Sequence, residues 1–537
     1  MIKPRLFQFA AAACLALFAG TSLAQWSADP LVSTPVADGD ADQGVPLARA
    51  TSDGGVWISL MDNGPGNGYK PRAQRLSAGG VRMFPGNGPI LANRTNTATF
   101  VYDMKVDALD NCIVAFDDNS SGTTVVTVQK VAPDGSLPWG PTGIQMPATN
   151  NVLAPRVAVC ADGTYVVAWA ISTSVFFQRV NPNASLGTAW SVFEASRYHA
   201  MSDLQAGATG GDVIALWVRG ETTNAQTSRK GLQMQKFDST DAAVWNAGAA
   251  VEIYTSQQTP LKSIQNGYFP ALVPDGSGGG IVAWYDNGLA RNAWLQHVES
   301  SGNSRFAPQG LALSNIASGE LRLSATVAYH AAANAYTVAY QRSNTGQSQF
   351  GLSAQRVDSD GVLHWGGGSG AVVVPMGSFQ SSFINVNAGS CGAAYLTWMQ
   401  YTSALNLEIQ AAALDLNGLT TWTPNILPVG IRATPKGRLS VARSSTGPML
   451  IGAWIDGSAG AGDILAQNIN FGGSLGTPPC PADFDADGTV DFFDYDAFVI
   501  CFEGGACPPG KSADFDGDCT VDFFDYDAFV VAFESPC

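Results

Sequence analysis

The sequence predicts a mainly β chain: a β-propeller of about eight blades, with seven the alternative count, followed by a small α-helical module. Three observations lead there. Only 13% of the 537 residues are charged while 59 are glycine, a balance that suits many short strands and turns. An apolar strand ending in an aromatic recurs along the body. At the end the chain switches to an acidic, aromatic segment written twice.

The first 24 residues read as a secretory signal. Lys3 and Arg5 precede the apolar run Leu6 to Ala19, and Ser22-Leu23-Ala24 is a small-residue cleavage site before Gln25. The run is too short to span a bilayer as a helix. A lipoprotein anchor at Cys14 fits less well, because the apolar run continues past it. No later stretch reads as membrane-spanning. The expectation is an exported protein, secreted or held at the cell surface by something other than its own helix.

Residues 25–471 form the repeat body. The strand appears as "NCIVAFDDN" (Asn111–Asn119), "TYVVAWA" (Thr164–Ala170), "GGIVAWYDNG" (Gly279–Gly288) and "MLIGAWIDG" (Met449–Gly457). Its terminal position holds Leu60, Phe116, Trp169, Trp217, Trp284, Tyr340, Trp398 and Trp454. The next strand carries Gln74, Gln129, Gln178, Gln235, Gln296, Gln355 and Gln467, each followed by a basic or polar residue, with Ala412 breaking the seventh copy. A turn such as "PDG" (Pro133–Gly135) comes next, then a further aromatic: Phe84, Trp139, Trp190, Trp245, Phe306, Trp365 and Trp422. Eight copies at intervals of roughly 48 to 67 residues suit multi-strand propeller units. A single unit cannot bury both its faces, so it needs neighbours. The eighth copy lacks its last aromatic strand, and "WSADPLV" (Trp26–Val32) supplies one at the other end of the chain, so an N-terminal strand should close the ring. The aromatics are read as packing between blades and the glutamines as partners for backbone groups. Asp62, Asp118, Asp286 and Asp456 recur two residues after the aromatic, where hairpin turns are the first explanation. Asp38, Asp40 and Asp42 have the alternation of a calcium loop but lack its remaining ligands.

No catalytic motif stands out in the body. His199, His297, His330 and His364 share no repeated setting, there is no H-E-x-x-H, and the only G-x-S-x-G lies in the linker at Gly472–Gly476, without the strand-turn-helix setting of a nucleophile elbow.

A linker at 472–481 leads to the module, 482–537. Of the net charge of −16, −13 falls in Pro481–Cys537, so the body is nearly neutral and nothing basic points to nucleic acid. "ADFDADGTVDFFDYDAFV" (Ala482–Val499) returns as "ADFDGDCTVDFFDYDAFV" (Ala513–Val530). Counted from Asp483, positions 1, 3 and 5 are Asp483, Asp485 and Asp487, and position 6 is Gly488 at a sharp turn. Thr489 at position 7 offers its carbonyl, Asp491 at position 9 acts through water, and Asp494 at position 12 closes the set. The second loop supplies Asp514, Asp516, Asp518, Thr520, Asp522 and Asp525. Hard oxygen donors at this spacing are what Ca2+ requires. Proline and glycine before each loop forbid an entering helix, whereas the exit helices have apolar faces at Tyr495, Phe498, Val499, Phe502 and at Tyr526, Phe529, Val530, Phe533. Cys519 stands where the first loop has Gly488; a non-glycine residue in a left-handed turn costs on the order of 1 kcal/mol, so the second of the two calcium sites should be the weaker.

Two calcium loops, each with an exit helix alone and closed by Asp, resemble a dockerin module. The resemblance implies a fold around two calcium ions and docking onto a cohesin-type receptor at a surface or in a multi-protein assembly. Positions 10 and 11, which help to select the partner in that family, fall on Phe492, Phe493, Phe523 and Phe524. Extra cysteines depart from the familiar pattern, so the receptor need not be a standard cohesin. Five cysteines lie in the final stretch (Cys480, Cys501, Cys507, Cys519, Cys537), and spacing alone does not pair them. Cys112, Cys160 and Cys391 are expected as buried thiols or at most one bridge. The reading that follows is an exported, non-catalytic propeller that binds a polysaccharide or protein and is anchored through a calcium-dependent module. The alternative is a carbohydrate-active enzyme, which rests on the company dockerins keep and not on residues of the body.

Overall fold

The computed structural model describes residues 26–534 apart from 65–67, 95–100, 120–121, 148–151, 260, 289–290, 315–318, 404–405, 446, 448, 478–479, 509–510 and 517–518. The segment read as a signal therefore lies outside the described residues. Eight antiparallel sheets follow one another along the chain, seven of four strands and one of three. They are the blades of an eight-bladed propeller. Blade 1 holds Gln43–Ala50, Val56–Asp62 and Lys70–Leu76. Blades 2 to 7 follow within 103–145, 153–193, 199–254, 272–312, 320–377 and 381–430. Blade 8 joins Lys436–Arg443, Met449–Asp456 and Asp463–Asn470 to Thr34–Ala37 from the start of the chain. The first strand of each blade adjoins that of the next, and the first strand of blade 8 adjoins that of blade 1, so the ring is closed.

The second strands are continuous apolar runs because each is covered on both faces by neighbouring blades. All eight positions from Leu60 to Trp454 in the aromatic series are buried. One cluster shows the arrangement: Ile281 and Leu295 of blade 5 pack with Val338 and Tyr340 of blade 6. In six blades the pairing of first and second strands carries a bulge, and five of these place a non-glycine residue at positive φ: Val45, Ala154, Ser324, Phe383 and Arg438.

Blades are fastened to one another by a contact that repeats around the ring. The third strand ends in a four-residue turn whose last N–H donates to the first carbonyl and whose last residue is left-handed. In chain order these residues are Gly80, Gly135, Ala184, Asp241, Gly302, Gly361, Gly418 and Gly473. The second aromatic of each blade rests on the turn of the following blade. Its indole N–H donates to a turn carbonyl from Trp139 to Pro182 (3.4 Å), Trp245 to Ser300 (3.0 Å), Trp365 to Leu416 (2.8 Å) and Trp422 to Phe471 (2.8 Å). At Gly473 a Cβ would stand 2.5 Å from the Trp422 ring, so glycine is required there both by φ and by the indole above it. The glutamines of the third strand clasp the segment that carries the ring: Gln235 accepts from the backbone N–H of Trp245 (3.0 Å) and Gln355 from the backbone N–H of Trp365 (2.8 Å).

Closure repeats both devices across the two ends of the body. Trp26 donates to Ala78 (2.8 Å) and covers Gly80, while Gln467 donates to the Ser27 carbonyl (2.6 Å). The strand that completes blade 8 is Thr34–Ala37, paired with Ile464–Ala466, and begins after the Trp26–Val32 stretch expected to form it. The aromatic and the strand are thus separate elements, and Trp26 is the fastener.

The residue after each glutamine has a partner that spacing did not suggest. Arg75, Lys130, Lys236 and His297 pair with Asp53, Asp107, Asp212 and Asp275 of the turn joining the first two strands of their own blade, at 2.8, 3.3, 3.0 and 3.1 Å.

Trp26→Ala should lower unfolding free energy by about 3 kcal/mol or more, the usual range for a buried aromatic, measured by denaturant unfolding; Leu31→Ala, at an exposed position, should change little. A pH dependence also follows. Burial, with the charges of Arg356 and Arg443, lowers the His330 pKa from its ordinary value to about 4. The unfolded chain then binds a proton that the native state refuses, so this stability is complete above pH 6.5 and is lost as pH falls toward 4. Melting curves across that window should show a steeper acid loss in the parent than in His330→Gln.

Candidate metal centre

The two acidic loops fold alike. In the first, Asp483, Asp485 and Asp494 bring carboxylate oxygens within 4.8 Å of one another. The chain is bent to this end by its own hydrogen bonds. Asp483 accepts from the N–H of Gly488 (3.1 Å), whose φ of 92° makes the sharp turn. Asp487 accepts from the N–H and hydroxyl of Thr489 (2.8 and 2.7 Å). Asp494 is buried and accepts from the N–H groups of Asp485 (3.0 Å) and Asp491 (2.8 Å). Asp491 in turn caps helix α1, Phe492–Phe502, through the N–H of Phe493 (2.8 Å), which completes a capping box.

The second loop gathers Asp514, Asp516 and Asp525 in the same way. Asp525 is buried and accepts from Phe515, Asp516 and Asp522 at 2.6, 3.1 and 2.8 Å. Asp522 accepts from the N–H of Phe524 (2.8 Å) at the start of helix α2, Phe523–Glu534. Cys519 has φ of 80°, the left-handed turn expected of its position, and its N–H donates to Asp514. Asp518 lies outside the described residues; Thr520 follows the turn. Among the described residues no helix runs directly into either loop: α1 ends at Phe502, well before Asp514.

The donor set fits a hard divalent cation. It is all oxygen, it converges, and Asp483 keeps one buried carboxylate oxygen with no hydrogen-bond partner. Desolvation holds the Asp485 carboxyl above its ordinary pKa, and the charges of Asp487, Asp494 and Asp483 add to it. Calcium bound there would supply the positive charge that such a cluster lacks. Asp38, Asp40 and Asp42 behave differently. Asp38 pairs with Arg82 (2.9 Å) and Asp42 accepts from Tyr69 (2.5 Å), so they form no comparable group among the described residues.

A shared aromatic core supports both loops with near two-fold symmetry. Phe498 and Phe529 stack face to face, ring centroids 4.1 Å apart. Phe484 and Phe515, at the second position of each loop, meet them edge-on, Phe484–Phe498 at 5.2 Å and Phe515–Phe529 at 5.3 Å. The helix faces identified Phe498 and Phe529; Phe484 and Phe515 were missed, though an apolar residue between two ligands in both copies is the signal. Phe492, Phe493, Phe523 and Phe524 point away from this core and are 69%, 68%, 70% and 68% exposed. Cys501 pairs with Cys507, and Cys480 is also disulfide-bonded. Cys112 and Cys160 are buried free thiols, but Cys391 of blade 7 is bonded to Cys519 in the second loop.

On the propeller, Asp62, Asp118 and Asp456 end the second strands and Asp286 directly follows one, so all four share one face of the ring, yet all are buried. Asp286, for example, accepts from Tyr254 and Trp294 (both 3.0 Å). Asp62 borders a sizeable cavity, about 760 Å³, with Asp38, Asp40, Gln43, Arg72 and Asn87.

No known family model matches the chain, and no curated protein sequence does. Among solved structures it is similar to a protein of unknown function from Dyadobacter fermentans (10% identity, TM-score 0.37, covering 83% of this chain and 98% of that one). It is also similar to the polysaccharide lyase Uly1 (10%, 0.37, covering 81% and 90%) and to an alpha-L-arabinanase from Penicillium chrysogenum (10%, 0.31, covering 60% and 93%). Likeness at this level carries no functional argument.

Asp494→Ala removes the acceptor of two loop N–H groups and half of a capping box. It should destabilise the first loop and the start of α1 by about 1–2 kcal/mol, seen as faster amide exchange there with the propeller unaffected.

Proposed function

We propose that this is an exported propeller protein that binds two calcium ions in its C-terminal loops and is anchored through them to a protein receptor, cohesin-like or of another kind, at a surface or in an assembly. The observation that carries this reading is the duplicated convergence of carboxylates, 1, 3 and 12 in each loop, on one aromatic core. Residues for the first site are Asp483, Asp485, Asp487, Thr489, Asp491 and Asp494; for the second they are Asp514, Asp516, Asp518, Thr520, Asp522 and Asp525. Asp491 and Asp494 in the first loop, and Asp522 and Asp525 in the second, also brace backbone N–H groups at the start of their helices, so an ordered loop and a correctly set helix go together. The helices then hold two pairs of exposed phenylalanines at their N-termini. Apolar side chains of that size left in water favour burial by a partner. Among the described residues no helix is long and apolar enough to cross a membrane. The propeller serves as the binding body.

One feature favours a second reading in which the body acts on a polysaccharide. The cavity at Asp62 combines carboxylates, amides and an arginine, the polar groups that hydroxyl-rich ligands engage. Incubating the full chain with a polysaccharide panel separates the two: retention without product release supports a binding body, and turnover supports the second.

The docking reading is tested with full-length protein and a cohesin-type domain. Binding is expected in millimolar calcium and lost in chelator. Changing Phe492, Phe493, Phe523 and Phe524 to serine should weaken it at least a hundredfold while calcium uptake stays as it was. Equal binding in chelator, or by the serine variant, would refute the docking surface.

A further inference from the structure

The bridge between Cys391 and Cys519 links the second loop to the propeller, and the inference drawn from it rests on the calcium reading above. Cys391 lies in the turn between the first two strands of blade 7, 128 residues before Cys519, with their Cα atoms 5.1 Å apart. That turn is hydrogen-bonded within its own blade and to blade 6, and Cys391 in it is itself left-handed, with φ of 52°. Gly389 and Ala393 close it through their backbone N–H groups, and the Gly392 carbonyl accepts from Arg356 of blade 6 (3.0 Å). The two loops differ at the bridged position. Gly488 takes φ of 92° with nothing within 4 Å of where a Cβ would be. Cys519 takes φ of 80°, which side-chain-bearing residues seldom adopt. A free Cys519 would relax toward ordinary backbone angles and carry its N–H away from Asp514, the first ligand of the loop. Bonded to blade 7 it cannot do so. The Cys391 sulfur also sits 3.0 Å from the Asp514 carboxylate, so the bridge abuts the ligand as well as the turn.

We infer that the Cys391–Cys519 bridge preorganises the second loop for calcium by holding its turn residue left-handed against blade 7. Cys391 is thus a positioning residue of a metal site that lies outside the propeller. The strain that would make the second site the weaker one is borne by the covalent link to a hydrogen-bonded turn of blade 7. Loop 1, with glycine at the same place, requires no such support.

The experiment uses the full chain, stripped with chelator and titrated with Ca2+ by calorimetry. The parent should show two sites. Cys391→Ser should weaken one of them about tenfold and leave the other unchanged. Cys391→Ser/Asp485→Ala, with loop 1 disabled, should retain only the weakened site, which assigns it to loop 2. Cys391→Ser/Cys519→Gly should recover most of the lost affinity, because glycine adopts the turn unaided; this also keeps the test decisive if an unpaired Cys519 perturbs folding. Parent affinities at both sites in Cys391→Ser, or no recovery with glycine, would overturn the role of the bridge alone. No calcium uptake by the parent would overturn both the bridge and the calcium reading.

Discussion

An aromatic ring resting on a left-handed turn of the neighbouring blade is the contact on which this architecture depends. A four-stranded sheet of this composition is apolar on both faces and is not stable by itself. The turn supplies a flat surface without a side chain and a carbonyl for the indole N–H, and the glutamine of the preceding strand fixes the backbone that carries the ring. Variation around the circle is informative. Phe84 and Phe306 cover Gly135 and Gly361 without donating a hydrogen bond. Trp190 stacks on Phe177 with its indole nitrogen unpartnered, beside a turn where Asp241 replaces glycine and binds Arg179 (2.5 Å). Packing tolerates these exchanges as long as something flat fills the space.

The module obeys the same logic on a smaller scale. Two copies of one loop-helix unit are too small to form separate cores, so they share one in which each phenylalanine has its counterpart. Charge is the part left unbalanced, since the carboxylates that brace the loops also repel one another. The covalent link then sets where this acidic unit sits. Cys391 is in a turn between first and second strands, whereas Asp62 ends a second strand, so the link and the cavity belong to opposite faces of the ring.

Much of this was legible in the residues. The aromatic and glutamine series marked eight blades, and the incomplete eighth copy pointed to the N-terminus for its missing part. Loop spacing located Asp483 and Asp494 together with their counterparts. What could not be read depends on neighbours remote in the chain. The partner of Lys130 is an aspartate in a preceding turn, and that of Cys391 stands 128 residues away. The displacement of the closing strand from Trp26–Val32 to Thr34–Ala37 has a local cause. In this last blade the fastening aromatic is followed by a longer excursion before pairing resumes, and the spacing of "WGPTGIQ" does not foretell it.

Because Thr34–Ala37 finds its partner only in Asp463–Asn470, a chain growing from its N-terminus makes its first strand long before there is anything for it to pair with. Seven blades can assemble in sequence while this early segment waits, and the circle is joined last. Such a late, distant contact is slow to form. Until it does, the eighth blade presents an open edge to solvent, and the interval is a window in which chaperones, or other copies of the same chain, can reach it.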